Sequence, residues 1–244
     1  MDIKYRNEIK FKISKKMAEV LKQRLSLVMD LDSHSGGKDN TYHIRSIYFD
    51  DLDSSALYEK VDGVEYRRKY RIRIYNLSDK VIKLECKHKH NAMTFKESMT
   101  ISKAMTLKLI SADIDDVLFD DLKGETFYDE YGMHLHEDSL LKRFLVEMKL
   151  RQLKPSIIVD YHRLAYTYPI SEVRVTFDYN VKSGNYSDDI FGANVPTFGV
   201  INDDELVLEV KFNEILPSQI SAVLSTIPMY RQAVSKFAIC RSTK

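Results

Sequence analysis

Between Tyr66 and Lys89 the chain places cations at every second position. YRRKYRIRIY sets Arg67, Lys69, Arg71 and Arg73 in alternation, and VIKLECKHK does the same with Lys83, Lys87 and Lys89, interrupted by Glu85. Successive strand side chains point to opposite faces, so each arm is a charged stripe backed by an apolar one. Tyr70, Ile72 and Ile74 form the apolar stripe of the first arm, and Ile82, Leu84 and Cys86 that of the second. Arginine grips anionic oxygens through its planar fork, and lysine serves as a point charge. Such a row suits a polyanion, a phosphate chain above all. The interleaved carboxylates suit a divalent cation, which prefers oxygen ligands and can bridge to phosphates.

The pattern recurs along the chain. Glu8, Lys10 and Lys12 oppose Ile9, Phe11 and Ile13; Arg174, Thr176 and Asp178 oppose Val173, Val175 and Phe177; Glu209 and Lys211 oppose Leu206, Leu208, Val210 and Phe212. Tyr161 and Arg163 share a face, as do Thr94, Lys96 and Ser98. The charged positions opposing apolar faces comprise eleven basic and four acidic groups, a local charge of +7 in a protein of net charge +1. The rest of the chain is therefore acidic, and charge is sorted by face. One antiparallel face can simply meet water. Six strands of like polarity fit better a sheet closed on itself, with the charged sides inside and the apolar sides under helices. Cations crowded in such an interior repel strongly unless an anion fills it.

The elements that must position these groups are read from periodicity. Strands are expected over Asn7–Ser14, Tyr42–Phe49, the two arms around a turn at Asn76–Lys80, Met93–Ile101, Ser156–Tyr166, Val173–Val181 and Glu205–Phe212. Helices are expected after Ser14 as N-cap, within Asp50–Lys60, over Lys103–Leu122 and Ser139–Gln152, and from Pro217 onward with a break at Pro228. Asp30–Asn40 and Ser183–Pro196 read as loops. No repeat, low-complexity tract or linker divides the 244 residues, so one domain over 1–244 is expected. The fold class is α+β, a closed antiparallel β-barrel with a charged interior and helices outside.

Composition narrows the function. Two cysteines and a charged N-terminus without an apolar core imply a reducing, cytoplasmic setting. No stretch approaches the roughly 20 apolar residues that span a bilayer. The aromatic residues fall mostly on apolar faces, which favours core packing over base stacking and gives no nucleic-acid partner. Cys86, His88 and His90 alternate along one strand and spread too far for easy tetrahedral zinc. His134 and His136 read as solvated loop residues. P-loop, GxSxG and kinase motifs are absent from the sequence.

The ordered segments NEIKFKI, SIYFDDLDSSALYEK, YRRKYRIRIY, IKLECKHK, KPSIIVDYHRLAY, VRVTFDYNV, LEVKFNEILP and AVSKFAICR resemble the VTC domain, the polyphosphate polymerase domain of the vacuolar transporter chaperone family, within the triphosphate tunnel metalloenzymes. The resemblance implies an antiparallel tunnel that binds a nucleoside triphosphate (ATP) and Mn²⁺ or Mg²⁺ and elongates polyphosphate from the γ-phosphate. It implies phosphate contacts from Lys10, Lys12, Arg71, Arg73, Lys87, Arg163 and Arg174, with Tyr161 beside Arg163. Lys89 and Lys96 would add to them, and Lys211 would share the face of Glu209. Ser235 and Lys236 would enter the tunnel from the final helix. Glu209 is the implied metal ligand, with Glu8 and Glu85 as helpers. Lys10, Lys12, Arg71, Arg73, Lys87, Arg163, Lys211 and Lys236 form the implied catalytic set. Polyphosphate or pyrophosphate would share the site, and a membrane-protein partner fits the family. A triphosphatase of the same fold and a non-catalytic polyphosphate-binding module are the alternatives.

Overall fold

Alternation becomes strand wherever the sequence carries it. The computed structural model describes residues 5–36, 38–91, 93–112, 139–185 and 189–243. Its strands are β1 (Asn7–Ser14), β2 (Asp30–Leu31), β3 (Tyr42–Asp50), β4 (Tyr66–Tyr75), β5 (Ser78–His90), β6 (Met93–Thr100), β7 (Lys154–Tyr168), β8 (Val173–Gly184), β9 (Thr197–Gly199) and β10 (Glu205–Phe212). The helices are α1 (Lys15–Leu25), α2 (Ser55–Val61), α3 (Lys103–Ser111), α4 (Leu140–Arg151), α5 (Ser218–Leu224) and α6 (Lys236–Ser242). Ser14, Ser102, Ser139 and Ser235 cap α1, α3, α4 and α6, each hydroxyl accepting from a backbone N–H of the first turn.

One antiparallel sheet runs β1-β10-β8-β7-β3-β4-β5-β6, with β2 added to β7 and β9 to β8. Its apolar sides face outward, as the alternation predicts. Ile47, Ile72, Ile74, Leu84 and Cys86 pack under Leu109 of α3 and Leu141, Phe144 and Leu145 of α4. Ile13, Val175, Phe177, Leu206 and Leu208 pack under Ala18, Leu21 and Leu25 of α1 and Ile220 of α5.

The closure differs from a continuous ladder. The two sheet edges meet in one antiparallel bridge, in which Arg6 N–H donates to the Thr94 carbonyl at 2.9 Å and Thr94 N–H returns to Arg6 at 3.2 Å. The residues ahead of α6 take up β1 farther along: Arg231 bridges Phe11, and Gln232 N–H donates to the Lys10 carbonyl at 2.9 Å. The interior is also less uniformly charged than expected. Ile44 of β3, Ile157 and Val159 of β7, Val181 of β8 and Val207 of β10 form an apolar patch with Phe237 and Cys240 of α6 and Ala56 of α2. These strands carry no cation at those inward positions, so apolar contact decides their surroundings.

Local boundaries shift for identifiable reasons. The hairpin turn is Asn76-Leu77 alone, both at positive φ (51° and 55°), the geometry of a two-residue hairpin, so Ser78–Lys80 join β5. Residues 225–235 lie between two short helices where one interrupted helix was expected. The part of the helix expected beyond Ala112, together with His134 and His136, lies outside the described residues. No helix among the described residues is long and apolar enough to cross a membrane.

A buried charge breaks the outward-apolar rule. Arg45, 3 % exposed, faces out from β3 and donates to both Asp160 oxygens (2.8 Å each at the shortest) and to the carbonyls of Ile190 and Gly192 at 3.0 and 2.6 Å. Removing one partner of such a pair strands the other. Arg45→Met is expected to cost about 3–5 kcal/mol in a urea unfolding experiment. A loss below about 1 kcal/mol would mean that His43, 3.5 Å from Asp160, suffices as its partner.

Candidate active site

The inward stripes of β1, β4, β5, β6, β7 and β10 surround a cavity of about 780 Å³. Fourteen arginines and lysines line it against two carboxylates, Glu8 and Glu209. Two further carboxylates, Glu85 and Asp178, sit buried in the wall. Strand register produces this directly, since Lys10 lies opposite Glu209, Arg71 opposite Glu85 and Lys69 opposite Lys87.

Each carboxylate organises its own cations. Glu85 takes Arg71 Nε at 2.6 Å on one oxygen and Lys96 Nζ at 2.5 Å on the other, with Arg73 at 3.7 Å. Asp178 receives Arg163 Nε at 2.6 Å and Lys236 Nζ at 2.5 Å. Glu8 holds Lys87 at 2.6 Å and Lys10 at 2.7 Å. Glu209 differs: Lys10, Lys211 and Arg163 stand at 3.7, 3.4 and 3.5 Å, longer than the 2.7–2.9 Å usual for charge-assisted bonds. Burial opposes ionisation of Glu209, yet Lys211, Lys10, Lys236 and Arg163 hold its carboxyl well below the usual range. Burial and the nearby Glu209 charge likewise push Glu8 up, but Lys87, Lys10 and Lys211 bring it down to about 2.

This geometry sorts the expected metal ligands. Glu209 is ionised, buried and loosely held, with Glu8 beside it, so this hard-oxygen pair fits Mn²⁺ or Mg²⁺. Glu85 has both oxygens committed within 2.6 Å and serves as counter-ion to the arginine wall. Lys10, Arg71, Arg73, Lys87, Lys89, Lys96, Tyr161, Arg163, Lys211, Ser235 and Lys236 all line the cavity. Tyr161 accepts from Arg73 at 3.1 Å, and Lys236 stands 5.0 Å over its ring. Two expected contacts are not brought in. Lys12 bonds Glu205 at 2.6 Å, and Arg174 is drawn to Asp32 and Tyr42, both at 3.1 Å.

The cavity also holds residues not singled out from sequence. Arg67 and Lys69 share the Arg71 stripe, so alternation could have found them. Lys60, from α2, and Arg231, from irregular chain, carry no periodic signal. Tyr48 accepts from Arg71 at 2.9 Å. Cys86, His88 and Glu97 lie together on the outer face. There Glu97 already pairs with His88 and Arg143, and burial pushes the Cys86 thiol up to about 12, unfavourable to a thiolate ligand.

Burial and the neighbouring Arg67 bring Lys69 down to about 7, and burial brings Lys211 down to about 8 against the pull of Glu209. A lysine depressed below its unfolded value leaves the unfolded chain binding more protons, so stability rises with pH above the folded pKa. In phosphate-free buffer the melting temperature is therefore expected to climb between about pH 7 and 8.5, less so in Lys69→Met. Above that window the buried Cys86 and Cys240 thiols, pushed up to about 12, act in the opposite sense. A melting temperature flat from pH 7 to 8.5 would contradict the depressed lysines.

Comparison with known proteins agrees with this architecture. A Hippeastrum protein described as an adenylyl cyclase with a dominant triphosphatase activity superposes with a TM-score of 0.55 at 14% identity, covering 99% of this chain and 97% of its own. A candidate adenylate cyclase of Bacillus halodurans gives 0.49 at 16% identity, covering 93% and 89%. Another from Vibrio parahaemolyticus gives 0.48 at 9% identity, covering 96% and 97%. No curated protein matches the sequence. The VTC domain profile matches residues 5–243. With that match over almost the whole chain, and a charged-interior sheet of the expected order, the protein belongs to the VTC domain family of triphosphate tunnel proteins.

Proposed function

We propose that the protein is a metal-dependent polyphosphate polymerase, transferring the γ-phosphate of a nucleoside triphosphate such as ATP onto a growing polyphosphate chain. The observation that carries this reading is the cavity itself, in which fourteen cations face two carboxylates. Phosphoryl transfer asks a protein chiefly to position the reactants and neutralise charge. Arg71, Arg73 and Arg163 are held by Glu85 and Asp178, so their forks are ordered before an anion arrives. Glu209 and Glu8 would hold Mn²⁺ or Mg²⁺, which neutralises charge on phosphate oxygens when bound.

In the proposed step an oxygen of the chain's terminal phosphate attacks the γ-phosphorus. The bond to the β,γ-bridging oxygen breaks, and the nucleoside diphosphate leaves with that electron pair. The attacking oxygen is already ionised near neutral pH, so no protein base is required. This matches the cavity, because Glu8 at about 2 and Glu209 well below its usual range are weak bases for water. The triphosphatase alternative keeps the same grip on substrate and draws its support from the description of the Hippeastrum relative.

Incubation with ATP and Mn²⁺ or Mg²⁺, resolved on a polyphosphate gel, separates these readings. Chain growth is the expected result. Orthophosphate alone means a triphosphatase, and binding without turnover means a polyanion-binding module. Glu209→Gln is expected to lower turnover by more than about 100-fold, the scale on which metal-site residues matter. Its metal-free affinity for polyphosphate should stay unchanged or rise, because a negative charge has gone. Retained turnover in Glu209→Gln would remove its metal role. Arg71→Glu should abolish polyphosphate binding in a filter assay, since it places two carboxylates opposite each other across β4 and β5.

A further inference from the structure

The cations of the cavity fall into two sets. Those around Glu8, Glu85, Asp178 and Glu209 are balanced by buried carboxylates. A second set has no bonded carboxylate: Lys60 at the end of α2, Arg67 and Lys69 at the start of β4, and Lys89 near the end of β5. Register stacks them as like charges, with Arg67 opposite Lys89 and Lys69 opposite Lys87. Directly opposed like charges destabilise a sheet unless something offsets them.

Lys69 carries the argument. Its ammonium is buried with no hydrogen-bond partner, lines the cavity, and lies 4.1 Å over the Phe237 ring of α6. Asp50 and Glu59 favour its charged form from a distance, while Arg67 and Lys60 oppose it. Burial likewise depresses Lys60, Arg67 and Lys89. A buried donor without an acceptor is costly, and four uncompensated cations at one rim are costlier. Arg67 lies four residues from Arg71, about 13 Å along the strand, farther than one triphosphate gripped at Arg71, Arg73 and Arg163 extends.

We propose that Lys60, Arg67, Lys69 and Lys89 form a separate chain-binding subsite at this mouth, which takes the phosphates of a polyphosphate beyond the three held at the centre. This deepens the polymerase reading and rests on it. A subsite of this kind holds the acceptor chain by its internal phosphates and makes affinity depend on chain length.

The test compares inorganic tripolyphosphate with a long polyphosphate chain by isothermal titration without metal. The wild-type protein and the variants Lys69→Met and Arg67→Gln are titrated at one ionic strength. Each variant is expected to weaken long-chain binding by about tenfold or more, the worth of one charge-assisted contact. Tripolyphosphate affinity should change by less than about threefold. Lys69→Met removes a partnerless buried charge, so a thermal melt should show it folded. Equal losses for both anions would merge these residues with the central site and overturn the subsite. Unchanged affinities for both would overturn it as well. If the wild-type protein binds neither anion, the phosphate-chain reading fails as a whole. If it binds both but never extends a chain from ATP, only the polymerase assignment fails, and the chain-length test still decides the subsite.

Discussion

Repulsion among inward-facing cations is the constraint on which the rest of the structure depends. At the reduced dielectric of an interior, unit charges a few ångströms apart interact by several kcal/mol, so the cations lining this cavity cannot be assembled without compensation. Four buried carboxylates supply it locally. Glu85 and Asp178 are held tightly and fix the arginine forks, whereas Glu209 is held loosely and stays available. The same interaction thus divides structural counter-ions from a candidate ligand by bond length alone.

The outer layers answer the same constraint. With charged stripes turned inward, every strand shows its apolar stripe outward, and amphipathic helices cover it. Leu21 and Leu25 of α1 and Phe144 and Leu145 of α4 are fully buried in that role. Where the inward stripe lacks charge, at Ile44, Ile157 and Val159, a helix occupies the interior instead, and α6 brings Lys236 with it. Apolar packing inside the sheet therefore positions a cation of the site.

How much of this was legible depends on distance along the chain. Period-two alternation is a local signal, so β4, β5, β1 and β10 and the inward direction of Lys10, Arg71, Arg73, Lys87 and Glu209 could be read from neighbours alone. Roles set by non-local pairing could not. Lys12 and Arg174 carry the same alternation as Lys10 and Arg163, but Glu205 and Asp32 draw them aside. Glu85 and Glu209 look alike in sequence and differ through the partners that register gives them. Arg231 lies in a stretch without periodicity, and Lys60 on a helix of seven residues too short for a clear face. Arg45 breaks the apolar stripe because Asp160 and two loop carbonyls meet it there.

The seam between β1 and β6 bears on the order of synthesis. β1 is made among the first residues, yet the chain that pairs with its free edge is Arg231 and Gln232, more than two hundred positions later. Contacts so distant in sequence are slow to form because loop closure precedes their reward. A nascent chain lacking that segment has an open-sided wall, whose cations meet the anions around the ribosome before they meet one another. Completion of the enclosure thus belongs to the last stage of translation, and capture of a phosphate chain becomes available only after the ribosome has passed this segment.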